Sequence, residues 1–114
     1  MPDLRRVGAE AEDRAVDHLL KLGYTIVTRR FKSRRGEIDV IAFDGEVLVF
    51  VEVKSTGKDD VEPELAVDEK KLELIYDAAE EYLRKSSHEP RVTRFDLIAV
   101  TPSALRHHKD AFRI

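Results

Sequence analysis

The chain has 114 residues, 42% of them hydrophobic and 38% charged, with a formal net charge of −3 and no cysteine. That length suits one domain, residues 1–114, and the missing thiols exclude a disulfide framework and thiolate metal sites. No apolar run approaches the ~20 residues of a membrane helix, the charged opening MPDLRRVGAEAEDRAVDHLL lacks the apolar block of a secretion signal, and the acidic balance argues against coating nucleic acid by bulk charge, so a cytoplasmic protein without membrane contact is expected.

The first element is a helix over residues 8–22. Gly8, Ala11, Ala15, Leu19 and Leu22 form one stripe, and Gly23 sits where a left-handed cap is favoured. Glu12 lies about 60° from Ala15, at the stripe's margin. His18 lies at the other margin as a structural residue, and Glu10, Asp13 and Asp17 point away. TIVTRRF, from Thr25, reads as a strand. It runs into RRFKSRR, residues 29–35, with five positive residues in seven, and a solvated loop is the ordinary reading of such a run. The segments EIDVIAF and EVLVFVEVKS are two strands joined at Asp44-Gly45, a hairpin signal.

Residues 56–64, with Gly57 and Pro63, form a loop that runs into DDVEPELAVDE, residues 59–69, with six acids and no base. A second helix runs from about Asp68, a good N-cap, to about Lys85, burying Leu72, Ile75, Ala79 and Tyr82. Lys71 shares that side, where a lysine commonly lays its stem on apolar surface. VTRFDLIAV is a fourth strand, with Asp96 as a charged end or a member of a hydrogen-bond network. The tail HHKDAFRI adds a short edge strand whose adjacent His107 and His108 point to opposite faces and cannot share an ion. The sum is an α/β domain with a mixed sheet of four to five strands flanked by helices, in the order α-β-β-β-α-β.

The hairpin carries the chemistry. A two-residue turn at Asp44-Gly45 pairs Phe43 with Glu46, Ile41 with Leu48, Asp39 with Phe50 and Glu37 with Glu52. One face carries Ile38, Val40, Ala42, Val47, Val49, Val51 and Val53. The other carries Ile41, Phe43, Leu48 and Phe50 near the turn, then Glu37, Asp39, Glu52 and Lys54 beyond them. The charges therefore gather at the rim of a core. Opposed like charges destabilise a sheet, and a hard cation such as Mg²⁺ or Mn²⁺ relieves the repulsion. Neutralisation by Lys54 and Arg35, as a plain salt-bridge network, is the open alternative.

GEIDVIAFDGEVLVFVEVKS resembles the core signature of the PD-(D/E)XK nuclease superfamily, an acid on one strand and Glu-x-Lys on the next. VGAEAEDRAVDHLLKLGYTIVTRR is similar to the opening of archaeal Holliday junction resolvases, with a helical Glu at the place of Glu12. ELAVDEKKLELIYDAAEEYL, RFDLIAV and HHKDAF are closer to the YraN-like proteins, a largely uncharacterised family of the same superfamily. Ile38 stands where the superfamily name has proline, and KSTG lacks the arginine that YraN-like proteins tend to carry after Glu-x-Lys.

The resemblance implies a restriction-endonuclease-like core and a Mg²⁺- or Mn²⁺-dependent endonuclease acting on DNA, including branched or structured DNA. It implies Glu12, Asp39, Glu52 and Lys54 as the active-site set. Asp39, Glu52, the Val53 carbonyl and Glu12 would hold the metal, with Glu37 an acid behind them. Arg29, Arg30, Lys32, Arg34, Arg35 and Lys71 are the candidates for holding the nucleic-acid backbone. By analogy with resolvases a homodimer is expected. The rival expectation is a non-catalytic nucleic-acid-binding or protein-interaction module on a nuclease fold.

Overall fold

The strand VLVFVEVKS is apolar on both faces over its first five residues, which suits a strand covered from both sides. In the computed structural model of the protein, which describes residues 4–90 and 92–113, that strand is central. The elements are α1 (Leu4–Lys21), β1 (Thr25–Lys32), β2 (Glu37–Asp44), β3 (Val47–Ser55), a 3₁₀ turn at Pro63–Ala66, α2 (Glu69–Lys85), β4 (Val92–Val100) and β5 (Leu105–Phe112). The sheet runs β1-β2-β3-β4-β5. Only β3 and β4 are parallel among the described pairs, and α2 lies on the crossover that a parallel pair requires.

Two apolar layers follow. Val40, Ala42, Val49, Val51, Ile98 and Val100 meet Ala11, Ala15 and Leu19 of α1. On the opposite face Ile38, Ile41, Leu48, Phe50 and Phe95 meet Ile75, Ala78, Ala79 and Tyr82 of α2. Phe50 is completely enclosed and stacks on Phe95 at 5.3 Å between ring centroids. Burying such a side chain stabilises by roughly 1.5–3 kcal/mol, so this layer anchors α2. Asp68 caps α2 by accepting from the Lys71 amide at 2.8 Å, as its sequence position suggests.

Four sequence expectations change. The first helix begins at Leu4 rather than residue 8, which brings Arg5 onto the face of Gly8 and Glu12. Leu22 is half exposed, because α1 stops at Lys21 and Gly23 turns the chain at φ +91°, so that Tyr24 fills the core place instead. The hairpin pairs Asp44 with Val47, Phe43 with Leu48 and Ile41 with Phe50. Its turn residues are Gly45-Glu46, with Gly45 at φ +60° in the first central position, which only glycine takes without strain. That register differs by two residues from the expected one, so the faces keep their parity while Glu37 loses Glu52 as its partner. Finally, Ile38 leaves the Val40 face for the α2 layer, where its β1 partner Phe31 also packs.

The tail forms a full strand, although Ile114 of HHKDAFRI lies outside the described residues. His107 and His108 do face opposite ways. His108 bonds Glu64 at 2.9 Å, whereas His107 joins His18 at 3.0 Å and Asp96 at 2.8 Å. Asp96 is the network member expected. It is fully buried and also accepts from Arg94 and from the Asp110 amide. Burial pushes this carboxyl up, but the bonds from His107, Arg94 and Asp110 outweigh it and hold the group at about 2.

Gly36 enters β2 so close to α2 that an added Cβ would lie 2.5 Å from the Leu74 carbonyl oxygen, whereas one at Gly8 meets nothing within 4 Å. In urea unfolding, Gly36→Ala is expected to lose about 1–3 kcal/mol. Gly8→Ala, inside α1, should gain up to about 1 kcal/mol. Equal stability of Gly36→Ala and wild type would show that α2 can retreat freely.

Candidate functional site

The site begins where the sheet splits. The β1–β2 ladder continues to Lys32–Glu37 and the β3–β4 ladder to Ser55–Val100, but the β2–β3 pairing ends at Val40–Val51. Continuing that register by one step would set Asp39 across from Glu52. Here the Asp39 carboxylate accepts the Val53 amide at 2.7 Å, the work a strand carbonyl does elsewhere in the ladder. The acid therefore ties two parting strands together while facing the gap between them.

Glu52 shares this gap and is only 4% exposed. Its Oε2 is buried without a hydrogen-bond partner, and the Lys71 ammonium from α2 stands 3.8 Å away. Burial, then the charge of Asp39 and a hydrogen bond with it, push Glu52 up to about 8, against the opposing pull of Lys71 and Lys54. Two carboxyls crowded together share a proton for this reason. A divalent cation can take that proton's place.

The donor chemistry fits a hard ion. Mg²⁺ is commonly held by one or two carboxylates and completes its shell with water and phosphate oxygens. Asp39 and Glu52 supply two carboxylates, one oxygen of Glu52 lacks a hydrogen-bond partner, and the Lys71 ammonium stands 3.8 Å from it. Among the described residues no three acids or histidines gather tightly enough to hold an ion together. Glu12 is thus not assembled with Asp39 and Glu52 as a third ligand. It is held instead by Arg29 Nε at 3.0 Å and Arg30 Nε at 3.2 Å.

Glu12 still reaches the same place. An open groove of about 470 Å³ beside α1 is lined by Glu12, Glu37, Asp39, Val53, Arg30 and Lys32. Arg5, Gly8 and Ala9 form its helical wall. Arg5 was not anticipated, although the spacing 5, 8, 9, 12 is one face of a helix and could have revealed it. The basic run divides between two places. Arg29, Arg30 and Lys32 are on the groove side, with Arg29 also bonding Asp13 at 2.8 Å. Arg35 pairs with Asp77 of α2 at 2.9 Å, and the Arg34 amide donates to Glu81. Lys71 faces Glu52 rather than an open surface, and the sequence pattern offered no sign of that pairing beyond a shared helix side.

Residues 11–100 match the uncharacterised protein family UPF0102. A UPF0102 protein of Persephonella marina is 42% identical over 106 residues, covering 92% of this chain and 91% of the relative. One from Thermotoga neapolitana is 43% identical over 97 residues, covering 85% and 89%. Another from Chlorobaculum tepidum is 48% identical over 98 residues, covering 82% and 74%.

The raised Glu52 makes stability depend on pH in a definite direction. The folded state keeps a proton that the unfolded chain has lost, so stability should fall as pH rises from about 4.5 to about 8 and level off above. Glu52→Gln removes the buried charge. With chelator present it is expected to gain on the order of 2–4 kcal/mol over wild type at pH 9 and little at pH 5, read by urea unfolding. A pH-independent difference would contradict the shared proton.

Proposed function

The chain belongs to the uncharacterised protein family UPF0102, and from the site it carries we propose a metal-dependent endonuclease of DNA built on a PD-(D/E)XK core. Supporting this reading above all is the buried, orphaned oxygen of Glu52 against Asp39, at the point where two strands part. A structural salt bridge would not leave a carboxylate unsatisfied there, since such a group costs about 1–3 kcal/mol.

In this reading Asp39 and Glu52 would hold Mg²⁺ or Mn²⁺, with the Val53 carbonyl as a further candidate ligand. The ion, when bound, polarises the phosphodiester and lowers the pKa of a water. Asp39 keeps the strand ends in place through the Val53 amide. Lys54 offsets charge growing on the phosphate, and Lys71 does the same for Glu52. Glu37 shapes the field behind the ligands. Arg30, Lys32 and Arg29 line the approach of the backbone, which is how an acidic protein could engage a polyanion. A branched or structured DNA substrate and a homodimer belong to the same proposal by the resolvase resemblance, and a cytoplasmic location belongs to it by the cysteine-free sequence.

One observation favours the rival, a non-catalytic module: Glu12 is already neutralised by two arginines, as in a structural network. Incubation with linear, flapped and four-way DNA, with and without Mn²⁺, separates the two. A nuclease cleaves at least one substrate with Mn²⁺, and Glu52→Ala abolishes both cleavage and the Mn²⁺-dependent rise in melting temperature. Lys54→Ala should keep that rise and lose about 10²–10³-fold in rate. Absence of cleavage together with absence of any Mn²⁺ shift would leave the binding module.

A further inference from the structure

Arg29 and Arg30 are neighbours on β1, and neighbours on a strand point to opposite faces. Here both guanidiniums reach one carboxylate. Arg29 Nε bonds Oε1 of Glu12 and Arg30 Nε bonds Oε2. The reason lies in the backbone: Arg30 has φ +54°, a left-handed conformation that costs a non-glycine residue about 1–2 kcal/mol. It sits between the pairs Arg29–Val40 and Phe31–Ile38, opposite Asp39. That turn of the chain breaks the alternation and brings two cations to one place on the groove. The Glu12 side chain between them is 10% exposed, whereas that of Arg30 is 57% exposed.

A pair of guanidiniums on one carboxylate is also the arrangement that binds a phosphate. With Asp13 also on Arg29, both guanidiniums are already engaged by acids, so a phosphate held by the pair competes directly with those carboxylates. We propose that Arg29 and Arg30 form a clamp for a backbone phosphate of nucleic acid, in which Glu12 is the resident stand-in that the phosphate displaces. Displacement releases Glu12 into the groove it shares with Asp39, so backbone binding and completion of the acidic site are one event. The ligand class rests on the nuclease reading, while the clamp itself rests on the convergence of the two arginines.

The test is metal-free. Anisotropy of a labelled DNA oligonucleotide in chelator, over a range of salt, compares wild type, Glu12→Gln, Glu37→Gln, Arg30→Ala and Glu12→Gln/Arg30→Ala. Glu37→Gln measures the general effect of removing one acid from the groove. Glu12→Gln is expected to bind about tenfold tighter than wild type, with the slope of log affinity against log salt steeper by about 1, one more phosphate contact. Arg30→Ala should cost more affinity in the Glu12→Gln background than in wild type. Glu12→Gln that matches Glu37→Gln, or binds no better than wild type, overturns the clamp. Should Glu12→Gln fail to fold, Asp13→Asn, which frees Arg29 from an exposed partner, carries the same comparison. Binding by this pattern without Mn²⁺-dependent cleavage would sink the nuclease reading and keep the clamp. No binding by wild type or Glu12→Gln would sink both.

Discussion

A sheet this well packed has little reason to contain a buried acid with an unsatisfied oxygen, and the parting of β2 from β3 is what allows Glu52 to be one. Up to Val40–Val51 the two strands satisfy each other's backbone and bury their side chains on both faces. Beyond that pair the ladder between them ends, and a side chain, Asp39, takes over the Val53 amide. The gap this opens is lined by backbone and acids. It is supported by α1 on one side and α2 on the other, so Glu52 is enclosed with the Asp39 carboxyl beside it and the Lys71 ammonium 3.8 Å from Oε2. The Val53 amide is satisfied there, but Glu52 keeps an unsatisfied oxygen.

Two buried acids in neighbouring strands show what this means. Asp96 and Glu52 lie on the adjacent strands β4 and β3, and both are enclosed. Asp96 accepts from Arg94, His107 and the Asp110 amide, and the excess of donors keeps it ionised far below the usual carboxylate range. Such a network fastens β5 and α1 to the sheet through His107 and His18. Glu52 has another carboxyl for its neighbour and is driven the opposite way. One acid is finished by the protein. The other keeps an oxygen without a hydrogen-bond partner, and that contrast, more than the presence of an acid, is what makes Glu52 and Asp39 the candidate cation site.

Much of this was legible in the residues. The 3.6-residue stripes of α1 and α2, the cap at Asp68, the apolar β3 and the opposed histidines of β5 all follow from local rules. Turn chemistry was less decisive: Asp44-Gly45 and Gly45-Glu46 are both acceptable two-residue turns, and the choice between them moved Glu37 away from Glu52 and Asp39 toward it. Nothing local announced the left-handed Arg30, since arginine has no preference for that conformation. With it went the fate of the basic run, which reads as one solvated block yet divides between Glu12 and Asp13 on one side and Asp77 on the other.

The sequence by itself determined most of the apolar faces, the span of α2, and that acids and a lysine collect at one end of a hairpin, because side-chain periodicity depends only on the local backbone. Tertiary structure decided which acids meet, which are neutralised and which keeps an oxygen without a hydrogen bond. Those outcomes depend on where two strands separate and on which helix closes over the gap, and both are set by packing between segments far apart in the chain.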